Sequence, residues 1–212
     1  RLWHSPERKP RSYSPDNTPI EAKVEGVKLI LTQPVEPTTG IRKQMIVEMS
    51  ADKPAVRVTH VLRNQGEWPI ELSAWALTVM AQGGQCIIPF PRHDDPAGLL
   101  PTHGVILWPY TDCTDPRLKL GRWYATLRQD PRAQRPMKIG VVRACEEWMA
   151  HLRDDVLFVK RYDFAAGASY PDYGCPVETY TNDEMLEVET LGPLTTLDTG
   201  EELQHVERWY LL

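Results

Sequence analysis

Two carboxylates stand two residues apart in the otherwise apolar run Leu186-Glu187-Val188-Glu189-Thr190-Leu191, and no other stretch of this chain is better placed to do chemistry. Alternate side chains of an extended strand share a face, which puts Glu187 and Glu189 on one side and Leu186 and Val188 on the other. A carboxylate within hydrogen-bond reach of a ligand hydroxyl can remove its proton, provided an acid across the ligand completes the exchange. A solvated sheet face produces the same pattern with no ligand. A concave sheet lined with acids produces it with one.

Several other side chains could complete such a site, and each has a plain alternative. Lys160 follows the apolar Phe158-Val159 and would place an ammonium beside the acids, or end its strand in solvent. His60 shares a face with Val56, Val58 and Leu62, the pattern of a hydrogen-bonded core histidine as well as of a ligand contact. Trp75, Trp108 and Tyr110 can stack on the apolar face of a sugar ring or pack in a core. Tyr170-Pro171-Asp172-Tyr173-Gly174 reads as a turn that carries an acid and two phenols towards the strand of Glu187. Asp94, Asp95, Asp112 and Asp115 supply oxygen enough for calcium, but their spacing matches no calcium loop. Cys86, Cys113, Cys145 and Cys175 lack metal-ligand spacing. They read as ordinary thiols, although their even number allows disulfides. No metal and no cofactor are expected.

The elements that must position these groups are short strands. The dominant period is two: Val56 to Asn64 alternates, Gln65-Gly66-Glu67-Trp68-Pro69 turns the chain, and Ile70 to Met80 follows. These two runs are predicted to pair as an antiparallel hairpin. Further strands are predicted at Val24 to Leu31, Ile41 to Met49, Val105 to Trp108, Lys138 to Val142, Val156 to Tyr162, Val177 to Thr181 and His205 to Leu211. Ala144 to Leu152 reads as a short helix or as the first arm of a hairpin. Nineteen prolines, about twice average usage, fall mainly between the runs and mark ordered loops. The irregular span from Phe90 to Pro136 is long enough to carry function.

Composition narrows the choice. A chain of 212 residues with 42% hydrophobic content can bury one sizeable core, so one domain over 1–212 is expected. A formal net charge of -5 and no basic run argue against nucleic acid or an anionic membrane as partner. No apolar stretch is long enough for a membrane span. The start at Arg1-Leu2-Trp3-His4, without an initiator Met, gives the expectation that N-terminal strands are missing and leaves localisation unread.

His60 and Asn64, the Trp68-Pro69 pair, Ala74 to Met80, Gly83-Gly84, Leu107-Trp108-Pro109-Tyr110, Phe158-Val159-Lys160-Arg161, Tyr170-Pro171-Asp172, Leu186 to Pro193 and Glu207-Arg208-Trp209 occur in an order that carries a resemblance. Over nearly its whole length the chain resembles an uncharacterised bacterial family related to galactose mutarotase and the aldose 1-epimerases. The resemblance implies an all-β fold, a two-sheet antiparallel β-supersandwich, and a small sugar or glycan as partner. It implies that Glu187, or Glu189, is the general base of an aldose 1-epimerase-like isomerase, with Glu187 favoured by its Leu-Glu-Val-Glu-Thr context. The epimerases' essential histidine has no counterpart at Ala74-Trp75-Ala76, and His4 takes its place as acid by position. Substrate contacts are then expected from Glu189, Lys160, Trp75, Asp172, Tyr170, His60 and Trp108. The alternative is a carbohydrate-binding or structural sandwich without the reaction, because fold alone does not fix function.

Overall fold

The computed structural model describes residues 1–14, 17–92 and 99–212. Seventeen strands run along these residues: β1 (Leu2–Ser5), β2 (Glu21–Glu25), β3 (Lys28–Thr32), β4 (Ile41–Met49), β5 (Ala55–Asn64), β6 (Ile70–Met80), β7 (Gln85–Pro89), β8 (Gly104–Leu107), β9 (Leu118–Leu120), β10 (Tyr124–Arg128), β11 (Met137–Val142), β12 (Trp148–Arg153), β13 (Val156–Tyr162), β14 (Val177–Thr181), β15 (Leu186–Leu191), β16 (Thr195–Leu197) and β17 (Glu202–Leu211). One helical turn, α1 (Pro171–Gly174), precedes β14. A seven-stranded sheet has the order β1-β6-β15-β14-β11-β8, with β16 also on β6, and a ten-stranded sheet has the order β2-β3-β4-β5-β17-β13-β12-β7-β10-β9. The described pairings are antiparallel, so the expected all-β, two-sheet architecture is the one found.

The predicted hairpin of β5 and β6 is not formed. β5 pairs with β4 and β17, whereas β6 pairs with β1, β15 and β16 in the other sheet. Each strand carries an apolar face, and stacking the two face to face buries both at once, which edge-to-edge pairing does not. Leu62 of β5 accordingly packs in one cluster with Leu72 and Ala74 of β6. Asn64 fixes the crossing: its amide nitrogen donates to the carbonyls of Trp68 and Leu197, and its oxygen accepts from Gly66 N.

Two other expectations are refined. The run Val24 to Leu31 is two strands, β2 and β3, because Gly26 takes φ +60° and reverses the chain. The window Ala144 to Leu152 ends in β12, the first arm of a hairpin with β13. Its turn residues Asp154 and Asp155 both have positive φ, as the right-handed twist of a two-residue turn requires.

The larger core cluster lies between the sheets and includes Ile88, Leu127, Ile139, Met149, Leu186 and Val188. Full burial of each such side chain contributes roughly 2 kcal/mol. The inward Leu186 and Val188 therefore set the register of β15, since a slip of one residue would drive Glu187 and Glu189 into this core. Cys86 and Cys175 are buried, Cys113 and Cys145 are exposed, and all four are free thiols.

Candidate functional site on the outer face of the seven-stranded sheet

Strand β15 lies between β14 and β6. Glu189 faces Glu178 across one ladder and Leu77 across the other; Glu187 faces Tyr180 and Val79. With Leu186 and Val188 in the core, these side chains emerge together on the sheet's outer face. Lys138 of β11 stands opposite Tyr180 on the same face. Its ammonium lies 2.7 Å from Glu178 Oε2 and 3.0 Å from Glu189 Oε2. Trp75 Nε1 donates to Glu189 Oε2 at 2.7 Å. The same ammonium sits 4.4 Å from the ring centre of Trp75 and 4.7 Å from that of Trp108, within cation–π range. Gly140 makes room for this cluster, since a Cβ there would come within 2.6 Å of Cys175 Sγ and 3.4 Å of Glu178 Cγ.

One lysine between two carboxyls cannot neutralise both. Glu178 is fully buried and neither of its oxygens has hydrogen-bond geometry to a partner. Burial pushes its carboxyl well above the usual range, and Lys138 offsets this only in part. Of the two carboxyls, Glu189 is the one that accepts hydrogen bonds from both the indole and the ammonium. Burial opposes the charge on Lys138, but Glu189 and Glu178 outweigh it and hold the ammonium's pKa above its ordinary value. Glu187 is half-buried; burial first and the charge of Glu189 second raise its carboxyl to about 7, against the pull of Lys138. A carboxyl poised there exchanges protons near neutral pH. Tyr180 is half-buried opposite it, Trp108 is half-buried against Lys138 on the far side of Tyr180, and Tyr110 is exposed with its ring 6.5 Å from that of Tyr180.

The sequence-predicted residues divide between this face and the interior. Glu187, Glu189, Trp75 and Trp108 stand together on the outer face. Asp172, in α1 at φ +50°, is close enough to raise the carboxyls of Glu7 and Glu178 electrostatically. Tyr170 is buried and stacks on Phe164, its hydroxyl accepting from Ala165 N at 2.8 Å. His4 is not across a ligand from Glu187. It pairs with Ala74 on the inward face of the sheet, with Nε2 3.7 Å from Glu36 Oε2. Lys43 Nζ lies 2.5 Å from Glu36 Oε1, and Thr39 donates to Oε2. Burial opposes the charge on Glu36, yet the neighbouring His4 and Lys43 and the hydrogen bond from Thr39 hold its carboxyl down at about 2. β1 is an edge strand whose Trp3 turns outward, so alternation sends His4 inward.

Lys160 and His60 also lie between the sheets, away from the outer face. Lys160 Nζ is 2.6 Å from Glu207 Oε1, and His60 Nε2 is 3.0 Å from Glu207 Oε2. Thr190 donates to Glu207 Oε1, Trp209 Nε1 donates to Oε2 at 3.0 Å, and His205 Nε2 is 2.8 Å from Thr190 Oγ1. Burial lowers the pKa of His205 to about 4, outweighing the attraction of Glu207. The unfolded chain then binds a proton near pH 6.5 that the folded chain refuses until about pH 4, so this histidine's contribution is complete above pH 6.5 and is lost as pH falls to about 4. That loss amounts to about 3 kcal/mol. Denaturant melts of wild type and His205→Asn between pH 4 and 7 are expected to show it as a stability gap that changes by about this amount; a gap independent of pH would contradict it.

Of the four aspartates whose spacing matches no calcium loop, the two that the structure describes are engaged locally. Asp94 and Asp95 lie outside the described residues, Asp112 accepts from Thr114 N and Oγ1, and Asp115 pairs with Arg117. Among the described residues no cluster of His, Cys, Asp or Glu could hold a metal ion. No described helix is long and apolar enough to cross a membrane.

Lys138 and Glu178 belong to the site but were absent from the sequence-level candidates. A signal existed: each is a lone charge at an alternate position of a strand otherwise built for burial. What sequence did not supply was the register that brings β11 and β14 beside β15.

No family model matches the chain, and no curated protein matches it. Solved structures do. A proposed aldose 1-epimerase from Klebsiella pneumoniae superposes with a TM-score of 0.54 at 9% identity, over 91% of this chain and 53% of that one. A galactose mutarotase-related enzyme from Lactobacillus acidophilus gives 0.51 at 7% identity, over 92% of this chain and 72% of that one. The fold is galactose mutarotase-like. A TPR-domain-containing protein from Parabacteroides distasonis superposes with a TM-score of 0.59 at 12% identity, over 99% of this chain and 37% of that one. The chain thus spans about half the length of the Klebsiella protein and less of the Parabacteroides protein.

Proposed function

We propose that the outer face of the seven-stranded sheet binds a small sugar or glycan, with Glu187 as the carboxylate that engages a sugar hydroxyl. The observation that carries this reading is a row across the sheet in which the half-buried Glu187 faces Tyr180, Tyr180 faces Lys138, and Lys138 lies against Trp108, with the Glu187 carboxyl raised to about 7 by burial and by Glu189. Aromatic faces match the apolar face of a pyranose, and a carboxylate beside them accepts from its hydroxyls. Likeness of fold to proteins described as aldose 1-epimerase and galactose mutarotase-related supports a sugar as the guest.

Epimerase chemistry is the catalytic form of this reading. Glu187 then takes the proton of the anomeric hydroxyl while Glu7 gives one to the ring oxygen. The bond from C1 to the ring oxygen breaks to the open-chain aldehyde, and the reverse steps reclose the ring on either face. Partial burial, with Glu189 and Asp172 adding to it, raises the Glu7 carboxyl against the pull of Lys138. The competing form is recognition without turnover, favoured by the inward position of His4.

NMR of a panel of aldoses tests both forms. Binding is expected to shift the Trp108 indole and Tyr180 signals, and Glu187→Gln is expected to weaken it about tenfold, the loss of one charged hydrogen bond. Faster anomer exchange with wild type than with Glu187→Gln selects the isomerase; binding with exchange at the buffer rate selects recognition. Unchanged Trp108 and Tyr180 signals across the panel would sink the carbohydrate reading.

A further inference from the structure

Behind the candidate face lies a polar cluster that a hydrophobic core does not need. Lys160, Glu207, His60, His205 and Thr190 are each at most 5% exposed. They sit between the larger core cluster and the smaller one that holds Leu62, Leu72 and Ala74. Removing such charges from water is expensive, and a buried ion pair rarely repays that cost in stability over well-packed apolar groups. Its contacts indicate what it does instead.

Lys160 comes from β13 of the ten-stranded sheet, yet its ammonium donates across the core to Val188 O at 3.0 Å and Ala76 O at 3.3 Å. Val188 separates Glu187 from Glu189, and Ala76 adjoins Trp75. Thr190, next to Glu189, ties the same strand to Glu207 and His205 of β17. The outward side chains of β15 and β6 form the candidate site; their backs are gripped from the opposite sheet at the same residues.

We infer that Lys160 and Glu207, with Thr190, are positioning residues: a buried strap that fixes β15 and β6 against the ten-stranded sheet and so aims Glu187, Glu189 and Trp75 at the ligand. The sugar affinity it implies rests on the proposed function, but the placement of Glu187 does not. The groups that face Glu187 are Glu189 on its own strand, Tyr180 of β14, Lys138 of β11, and Arg1 ahead of β1.

The test is the full chain carrying Lys160→Met with Glu207→Gln, a pair that leaves net charge unchanged and keeps an acceptor for His60, Thr190 and Trp209. Thermal melting is expected to stay within a few degrees of wild type, because the cost of burying two charges disappears with their attraction. The titration midpoint of the Glu187 carboxyl, followed by carbon-detected NMR, is expected to fall by about one unit as β15 loosens and the group gains solvent. Thr190→Val, which keeps shape and removes the hydroxyl, is expected to move the midpoint the same way by less, and serves if the double variant does not fold. Sugar affinity is expected to drop about tenfold in the double variant, the equivalent of one such unit. A Glu187 midpoint unchanged in both variants overturns the inference, whatever the sugar panel shows. A shifted midpoint with no sugar bound by wild type keeps the strap and overturns the carbohydrate reading alone.

Discussion

Glu187→Gln is expected to stabilise the protein by about 2 kcal/mol at pH 8 while leaving stability at pH 4 almost unchanged. The carboxyl is raised from 4.5 to about 7. The folded chain therefore holds a proton that the unfolded chain has already released. The favourable contribution is fully present below pH 4.5 and is lost as pH rises through about 7, which leaves a charged, half-buried group under strain above that point. The full shift corresponds to about 3 kcal/mol, reduced here because the side chain retains some solvent. Glutamine keeps the shape and removes the charge. Urea melts of the two proteins at pH 4, 6 and 8 read the difference; equal stability at all three would show that Glu187 is an ordinary surface acid. Greater stability combined with lost sugar binding is the signature of a group retained for function.

Lys138→Met is expected to be the most damaging single change on this face, costing about 3 to 5 kcal/mol at neutral pH. It removes the only cation within hydrogen-bond distance of Glu189 in the described contacts and leaves that buried carboxylate with the Trp75 indole alone. It also removes the cation stacked against Trp75 and Trp108. Adding Glu189→Gln to Lys138→Met is expected to restore most of the loss, because glutamine needs no counter-charge and still accepts from the indole. Chemical denaturation of the single and double variants decides it. A single variant within about 1 kcal/mol of wild type would show that the Lys138–Glu189 pair does not hold this face together.

How legible was this in the sequence? Period-two alternation located most strands and put Glu187 and Glu189 on one face, because Leu186 and Val188 have no other place to go. It failed where pairing depends on partners distant in the chain. β5 and β6 are joined by five residues and look like a hairpin, yet the apolar faces of both are satisfied only by stacking across the core. The same blindness hid half of the site. Lys138 is 51 residues from Glu189, and their contact follows from the order β15-β14-β11. His4 illustrates the converse: its place near the start of the chain suggested a site residue, and the outward turn of Trp3 commits it to the interior. Lys160, expected beside the acids, does act on their strand, but through the backbone and from the opposite side.

Strand β17, the last of the described strands, sits near the middle of the ten-stranded sheet, with β5 on one side and β13 on the other. In the chain, β17 follows every other strand of its sheet and so is made after all of them. Until then the sheet is two separate halves with raw inner edges, and His60 and Lys160 wait without the carboxylate that joins them. A nascent chain of this protein must therefore keep two unzipped, aggregation-prone borders apart until β17 is made, and a lesion within β17 would strike the centre of the sheet instead of its fringe.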